Sequence, residues 1–491
     1  MRTKHLRLFF LALTLAVFSN AIAQVSLGGT PQSFSKSLTL QALPPTHVGF
    51  PDMQQVALED AIDAKEGTLY KIARIMPVTL NPQNSGTWEV LPDGSRLWRL
   101  KIQSDGALAL FLTYNHFVLP EGSTLFLYNE DKSHIAGAYN STINPPASNP
   151  EFSTRIIDSD VTVLEYHAPM GVSADPIIDI AGVGHIYRGY NPRSVQVQNQ
   201  QRIGESDPCQ VNVNCTPEGN SWQDEKRGVV RILVVGPSGA GWCSGSLINN
   251  TAQDCKRYVL TADHCAGGGG SNPQYSTTAN LNQWQFYFNY EAPTCTTPGT
   301  AGTLDDYVLT GCVKRAQGGN GGDNGSDMYL IEITPTIPAG WNVYYNGWSR
   351  SATAATSGVS IHHPSGDVKK ISTFSSTLVN SGWNGSGLSS HWRVTWVATT
   401  NGHGVTEGGS SGSPIFNNSG LIVGQLTGGA SYCSATGQPD YYGKMSYNWS
   451  SNTVPATNNT LQPWLDPGNT GVTTLSGVRS EERRVGKECR S

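Results

Sequence analysis

The chain has 491 residues, too many for one ordinary domain, so two large folded units are expected. It carries 32 Lys and Arg against 37 Asp and Glu, a net charge of −5, and no long basic run. This balance argues against a nucleic-acid partner and against binding to an anionic membrane. The 54 glycines and 28 prolines are spread among apolar, β-branched segments, which is typical of turns in an all-β protein.

Residues 1–23 are typical of a cleaved secretory signal peptide. The basic residues Arg2, Lys4 and Arg7 precede an apolar core, and Ala21-Ile22-Ala23 supplies the small residues that signal peptidase requires. The apolar core is too short to span a membrane, and no later segment is long and apolar enough. We therefore expect a soluble, secreted protein.

The nine cysteines are distributed unevenly. None precedes residue 209 and eight lie between residues 209 and 433, which indicates a cross-linked unit behind an uncross-linked one. The cysteines are Cys209, Cys215, Cys243, Cys255, Cys265, Cys295, Cys312, Cys433 and Cys489.

The chain divides into a front unit at residues 24–202 and a second unit at residues 203–478. Apolar and polar residues alternate between turn signals over residues 95–139, which predicts a β-sandwich in the front unit. A polar, Asn/Gln-rich stretch then reads as an exposed linker, the kind of segment that proteases cut. Residues 479–491 are charge-dense and carry the ninth cysteine, so we interpret them as a non-native tail and exclude them from the fold.

Residues 407–416 read EGGSSGSPIF, a turn of small residues that closes onto an apolar run. A nucleophilic serine must expose its hydroxyl while backbone N–H groups converge on the developing oxyanion, and glycine permits the tight turn that achieves both. Ser411 is the candidate nucleophile, and the N–H groups of Gly409 and Ser411 are the candidate oxyanion donors. Gly/Ser turns are common, so the motif alone is a weak signal.

The stretch YVLTADHC, residues 258–265, supplies a candidate general base. It is an apolar, β-branched strand that ends at His264, where a base would be held rigidly. A disulfide between Cys243 and Cys265 would fix this turn.

The stretch GSDMYLIEI supplies the carboxylate that would orient the imidazole. Asp327 directly precedes its alternating apolar strand, whereas the competing acids do not open a buried strand. The chain order His264, Asp327, Ser411 is a known order for a catalytic triad, the one found on double β-barrels. The competing acids are Asp305, Asp306, Asp323 and Glu332.

From about residue 204 to residue 477 the chain resembles the bacterial lysyl endopeptidases, secreted serine proteases of the chymotrypsin superfamily. The resemblance implies an all-β fold with a chymotrypsin-like double β-barrel behind a β-sandwich-like pro-domain, and it implies the same triad. The matching stretches are GSLINNTAQDCKRYVLTADHC, SDMYLIEI, SIHHPSGDVKKIS, VTEGGSSGSPIF, VGQLTGG, CSATG, DYYGKM and PWLDPGNTG.

The resemblance also implies the residues that bind the substrate side chain in the S1 pocket. The trypsin position for an S1 acid holds Val405, so the carboxylate is expected at Asp440, in DYYG, as in this family. The family's stacking tryptophan matches Trp383, but its partner histidine is replaced by Thr427. The tryptophan–histidine pair is therefore expected to lack its histidine, and the S1 pocket is expected to accept arginine as well as lysine.

The resemblance implies the disulfides Cys209–Cys433, Cys215–Cys295 and Cys243–Cys265. Cys255 and Cys312 lie outside that set and could pair with each other, which would make the count even. Three or four such links each contribute a few kcal/mol of stability.

The processing site is expected at Arg202–Ile203, because Arg202 is the last basic residue before Cys209 and the nearest preceding lysine is Lys132. In activation of the trypsinogen type, the freed amine of Ile203 would form an ion pair with an aspartate beside the nucleophile. Ser410 occupies that position and cannot form the ion pair. Activation is therefore expected to be release of the front unit, which would cover the active site as an intramolecular inhibitor. The front unit could also assist the folding of a slow, high-contact-order β-barrel.

Two functions from different classes are compatible with these features. The first is a secreted serine endopeptidase that cuts protein or peptide substrates after basic residues, as a monomer without a cofactor or metal. The second is a binding or adhesion protein on an inactive protease scaffold. The complete His, Asp and Ser set favours the enzyme. A glutamyl endopeptidase is the alternative specificity, but no cationic or His-lined S1 pocket is evident.

Overall fold

The computed structural model describes residues 27–190, 206–237, 239–270, 272–297, 307–451 and 459–480. The signal segment, the cleavage site Arg202–Ile203 and residues 481–491 lie outside these ranges. Among the described residues, strands far outnumber helices, and α1 (Met53–Glu66) is the one long helix among them. The all-β prediction is confirmed.

The front unit is a β-sandwich, as predicted. Its two sheets follow the orders β1-β4-β9-β6-β7, with β3 on β4, and β2-β10-β5-β8. Between them lies an apolar core that includes Trp98, Leu112 and Leu164. The strands are β1 (Pro45–His47), β2 (Tyr70–Leu80), β3 (Thr87–Val90), β4 (Arg96–Gln103), β5 (Ala109–Val118), β6 (Thr124–Tyr128), β7 (Ile135–Tyr139), β8 (Phe152–Ile157), β9 (Val161–Ala168) and β10 (Ile177–Ile186).

The second unit consists of short strands with a few one-turn helices. The helices are α2 (Thr278–Leu281), α3 (Met445–Ser450) and α4 (Gln462–Leu465). The strands are β11 (Val229–Gly236), β12 (Gly239–Leu247), β13 (Tyr258–Ala262), β14 (Gln285–Tyr287), β15 (Val308–Thr310), β16 (Cys312–Gly318), β17 (Met328–Ile333), β18 (Tyr344–Tyr345), β19 (Trp348–Ser349), β20 (Gly358–His362), β21 (Lys370–Phe374), β22 (Val379–Ser381), β23 (His391–Val394), β24 (Pro414–Asn417), β25 (Ile422–Gly429), β26 (Asp440–Lys444), β27 (Thr474–Leu475) and β28 (Val478–Arg479).

These strands form two barrels that share a buried junction. The first follows the order β15-β14-β11-β12-β13-β17-β16 and the second the order β21-β20-β24-β25-β26-β23-β22. Leu260 and Leu330 of the first barrel pack with Ile361 and Phe416 of the second in one apolar cluster. Burying one such side chain contributes about 1.5–3 kcal/mol, so the cluster fixes the two barrels relative to each other. The expected chymotrypsin-like double β-barrel is confirmed.

The front unit is joined to the first barrel through a continuous sheet. Strand β2 pairs antiparallel with β12, with Tyr70 opposite Trp242, Lys71 opposite Gly241 and Ala73 opposite Ala240. Apolar residues of both units also form one core, in which Ile72 and Trp242 are fully buried. The two units share a sheet and a core instead of meeting only at the linker.

Three disulfides cross-link the second unit: Cys209–Cys433, Cys215–Cys295 and Cys243–Cys265, the pairs that the resemblance implies. The suggested pair Cys255–Cys312 is wrong. Cys312 is a free thiol at the start of β16, buried in the core of the first barrel, and Cys255 is disulfide-bonded but not to Cys312.

The folded second unit extends two residues beyond the predicted boundary at 478. Arg479 pairs with Tyr344 across β28 and β18, and its guanidinium lies 2.6 Å from Asp224 Oδ1. Ser480 N–H donates to the Val343 carbonyl. The tail that we excluded therefore begins no earlier than residue 481. Among the described residues, no helix combines the length and the apolar character needed to cross a membrane.

Candidate active site

His264 and Asp327 meet because the strands that carry them are neighbours. Strands β13 and β17 pair antiparallel, with Ala262 opposite Met328, so the end of one strand faces the start of the other. His264 Nδ1 lies 2.7 Å from Asp327 Oδ2, and the His264 N–H donates to Oδ1 at 2.9 Å. The carboxylate thus fixes both the backbone and the ring of His264.

Both side chains are buried, with 2 % of His264 and none of Asp327 exposed to solvent. Burial would lower the pKa of His264, but the negative charge of Asp327, its hydrogen bond and the charge of Asp263 outweigh burial and raise that pKa. Of the competing acids, Glu332 binds Arg315 at 2.6 Å, and Asp305 and Asp306 lie outside the described residues.

Asp263 is a second buried carboxylate beside the imidazole, and the sequence analysis missed it. Its Oδ2 accepts hydrogen bonds from the Tyr275 hydroxyl at 2.8 Å and from the Gly321 N–H at 3.0 Å. Its Oδ1 has no partner among the described residues. Burial and the charge of Asp327 raise the pKa of Asp263 to about 7. The signal in the sequence was an acid adjacent to the histidine in TADHC.

Ser411 lies in a turn that is fastened to the first barrel. Its carbonyl accepts a hydrogen bond from the Ser244 N–H at 2.8 Å, and the Ser244 hydroxyl donates to the Gly409 carbonyl at 2.9 Å. A Cβ on Gly412 would collide with Thr261 and Ala262 at the end of β13, so the turn packs against the strand that leads to His264. Ser411 is partly exposed, and within the described residues no hydrogen bond joins its hydroxyl to His264.

The N–H groups of Gly409 and Ser411 donate no hydrogen bond within the described part of the chain. The planes of their peptide bonds are nevertheless fixed. The Ser365 N–H donates to the Gly408 carbonyl at 2.6 Å, and the Ser413 N–H donates to the Ser410 carbonyl at 3.0 Å. Since C=O and N–H point in opposite directions in a planar trans peptide, these bonds set the directions of both free N–H groups.

Asp440 lies at the start of β26 and is completely buried. Its Oδ2 accepts hydrogen bonds from Trp396 Nε1, Thr406 Oγ1 and Ser431 Oγ at 2.6–2.8 Å, and its Oδ1 accepts one from the Ser431 N–H. Burial raises the pKa of Asp440, and this effect outweighs the hydrogen bonds, which lower it. No Lys or Arg among the described residues pairs with it, so the carboxylate is solvated by neutral groups only.

Trp383 has a histidine neighbour that the sequence analysis did not anticipate. The rings of Trp383 and His391 lie 6.2 Å apart at an interplanar angle of 34°, and His391 Nε2 lies 3.0 Å from Thr427 Oγ1. His391 comes from β23, and burial lowers its pKa to about 4. Thr427 stands where the partner histidine was expected, and another strand supplies an imidazole, His391, beside Trp383.

Comparison with known proteins agrees with this geometry. Residues 203–443 match the family described as lysyl endopeptidase, C-terminal domain. The chain is 28% identical over 422 residues to lysyl endopeptidase of Pseudomonas aeruginosa, which covers 82% of this chain and 84% of that protein. These two matches support membership of the lysyl endopeptidase family.

Two solved structures are more remote relatives. The protease Anisep of Arthrobacter nicotinovorans is 18% identical, with a TM-score of 0.31, and the match covers 45% of this chain and 91% of Anisep. The thermostable serine protease AL20 from an extremophilic microorganism is 13% identical, with a TM-score of 0.31, and the match covers 45% of this chain and 92% of AL20. The strand pairing itself establishes the two-barrel architecture of the lysyl endopeptidase domain.

Proposed function

We propose that the chain is the precursor of a secreted serine endopeptidase that cleaves peptide bonds after lysine and arginine. The observation that carries this proposal is the 2.7 Å contact between His264 Nδ1 and Asp327 Oδ2, at the strand end against which the Ser411 turn packs. The contact and the packing of the turn support a triad of three residues that are far apart in sequence, His264, Asp327 and Ser411.

In this mechanism Asp327 keeps a proton on His264 Nδ1, so that Nε2 is the base that accepts the Ser411 hydroxyl proton. Ser411 Oγ attacks the scissile carbonyl, and the N–H groups of Gly409 and Ser411 stabilise the oxyanion, each by about 3 kcal/mol. The imidazolium then protonates the leaving amine. Water repeats the same steps on the acyl-enzyme and releases the acid product.

Asp440 is the proposed determinant of basic specificity. A buried carboxylate surrounded only by neutral donors retains an uncompensated charge, and a substrate ammonium or guanidinium would provide the missing counter-ion. Trp383 and Thr427 are proposed to contribute to the same region, since both approach Gly322. His391 holds Thr427 there through its hydrogen bond.

Acceptance of arginine is proposed from the linker, where self-processing would have to occur at Arg202. The mature enzyme would then begin at Ile203. N-terminal sequencing of the secreted enzyme tests this, and a start far from Ile203 would contradict it. Hydrolysis of matched Lys, Arg and Glu peptides by the same preparation separates basic from glutamyl specificity.

The front unit is proposed to inhibit the precursor by covering the site. Tyr70 packs against Gly408, three residues before Ser411, and Leu69 packs against Gly241. Glu66, at the end of α1, approaches Gly270 beyond His264. These contacts support the proposal that residues 66–70 lie over the cleft, held by the pairing of β2 with β12.

A fluorophosphonate probe tests the proposed nucleophile. The processed enzyme is expected to be labelled and to lose its peptidase activity, whereas the Ser411→Ala variant is expected to show neither labelling nor activity above background. Ser419→Ala, an exposed serine of the following hairpin, is the matched control and should behave as the wild type. Absence of labelling in the processed wild type would instead support a binding protein on an inactive scaffold.

Replacing Asp263 with asparagine is expected to shift the acidic limb of kcat/KM to lower pH. The charge of Asp263, which is present near and above its own pKa of about 7, helps to raise the pKa of His264, so its removal allows the imidazole to become a neutral base at slightly lower pH. The pH profile of peptide hydrolysis between pH 4 and pH 8 measures the shift. Glu332→Gln, which removes a carboxylate bound to Arg315, is the control, and an equal shift in both variants would refute the assignment.

A further inference from the structure

A buried hydrogen-bonded relay lies behind the serine turn, and nothing in the proposed mechanism uses it. The Glu407 N–H donates to Ser410 Oγ at 3.2 Å, Ser410 Oγ lies 2.8 Å from His362 Nδ1, and His362 Nε2 lies 3.0 Å from Ser372 Oγ. The Ser372 hydroxyl donates to the Val405 carbonyl at 3.2 Å. Ser410, His362 and Ser372 are all fully buried.

The position of every proton in this relay follows from counting donors. A carbonyl can only accept, so the single Ser372 proton is used on Val405, and Ser372 Oγ must accept from the N–H at His362 Nε2. A neutral imidazole has one N–H, so His362 Nδ1 must accept the Ser410 proton. The relay therefore runs in one direction, from the Glu407 N–H to the Val405 carbonyl, with each group satisfied.

The relay is neutral over the range in which a serine protease operates. Burial, with a contribution from the Lys370 charge, lowers the pKa of His362 to about 3. Lys370 lies opposite His362 on β21 and is itself paired with Asp367, while His363 and Glu407 are the other ionisable groups nearby. None of these groups has to gain or lose a proton for the relay to persist near neutral pH.

We propose that His362 and Ser410 are positioning residues that hold the oxyanion turn in its working geometry before the front unit is released. Ser410 lies between the two proposed oxyanion donors, so fixing its side chain fixes the segment that presents them. The neighbouring turn adds a backbone hydrogen bond. The N–H of Ser365, whose backbone is left-handed with φ of 53°, donates to the Gly408 carbonyl. This inference rests on the proposed endopeptidase function.

Ser410, a member of the relay, stands beside the nucleophile, where an aspartate would be needed to bind a newly formed N-terminal amine. All members of the relay belong to the second unit, at residues 362–372 and 405–410, so it needs neither the front unit nor a free amine. An amine–carboxylate support would be lost as the amine deprotonates near its ordinary pKa of about 8. The neutral relay predicts no such loss, so activation consists of uncovering a finished site.

The test compares Ser410→Ala and His362→Phe with the wild type, using an arginyl peptide substrate. Each variant is expected to lower kcat at least tenfold with KM changed less than twofold, because oxyanion donors act in the transition state. Binding of a peptide aldehyde, which forms a tetrahedral adduct, should weaken by the same factor, whereas a non-covalent S1 ligand such as benzamidine should bind unchanged. Ser246→Ala removes another buried hydroxyl, bonded to Asn346, and is the matched control.

The double variant distinguishes a relay from two unrelated packing defects. Because the two residues act as one unit, its kcat should fall no further than that of the weaker single variant. The double variant also avoids placing the Ser410 hydroxyl against a phenylalanine ring. If a single variant fails to fold, the double variant can therefore be compared with the wild type in its place. In the wild type, kcat for the arginyl substrate should stay level from pH 8 to pH 9.5.

The inference would be overturned by a kcat of Ser410→Ala within threefold of the wild type, or by equal weakening of the binding of the aldehyde and of benzamidine. A fall in wild-type kcat with an apparent pKa near 8 would assign the support of the turn to the N-terminal amine instead. An inactive, unlabelled wild type would refute the proposed function itself, which is a separate outcome.

Discussion

Replacing Asp327 with asparagine is expected to lower kcat by about 10⁴-fold near neutral pH while the fold is retained. Asp327 Oδ1 accepts the His264 backbone N–H, so the asparagine oxygen should remain there and its NH₂ group should face Nδ1. The ring would then carry its proton on Nε2, where the Ser411 proton must be received. Asparagine also tolerates the left-handed backbone that Asp327 adopts, with φ of 58°.

Steady-state hydrolysis of an arginyl peptide between pH 5 and pH 9 measures this loss, and thermal unfolding checks the fold. Glu332→Gln, in the strand that follows Asp327, should retain kcat within about twofold, because Glu332 contacts Arg315 and not the imidazole. An Asp327→Asn enzyme within tenfold of the wild type would remove Asp327 from the mechanism.

Replacing Asp440 with asparagine is expected to reduce the preference for a basic over an isosteric neutral side chain by about 10³-fold. A buried charge pair that loses one partner is destabilised by about 3–5 kcal/mol, which corresponds to two to four powers of ten. The wild-type preference should also decline on acidification at a higher pH than for an ordinary aspartate, because burial raises the pKa of Asp440 and the protonated acid cannot pair with a cation.

The quantity to measure is the ratio of kcat/KM for lysyl and norleucyl peptides, since a loss of active protein cancels in the ratio. Asp224→Asn removes the same charge from a surface ion pair with Arg479 and should leave the ratio unchanged. An unaltered ratio in Asp440→Asn would place the determinant of specificity elsewhere.

The parts of the site that could be predicted from sequence are those fixed by local patterns. A β-branched strand ending at His264, an acid opening an apolar strand at Asp327 and a Gly/Ser turn at Ser411 are all local patterns, and together they are a much stronger signal than the turn alone. Pairing of β13 with β17 then brings the first two together without further information.

The residues that were missed act through tertiary contacts with no local signature. His391 reaches Trp383 from a strand whose sequence does not reveal its neighbours, and Asp263 is unusual only because the fold buries it. Cys312 was paired with Cys255 by elimination, but its side chain points into a barrel core. Long-range register decides all three, and alternation within a strand cannot specify it.

If the front unit inhibits the precursor as proposed, the hydrogen-bonded sheet that spans both units should separate cleavage of the linker from the onset of activity. Cutting the chain near residue 202 breaks one covalent bond, yet it leaves the ladder between residues 70–73 and 240–242 and the shared apolar core untouched. The nicked molecule is therefore a tight complex of enzyme and excised fragment. On that proposal, the rate at which activity appears is set by dissociation or digestion of the fragment, so cleaved chain should appear on a gel before turnover does.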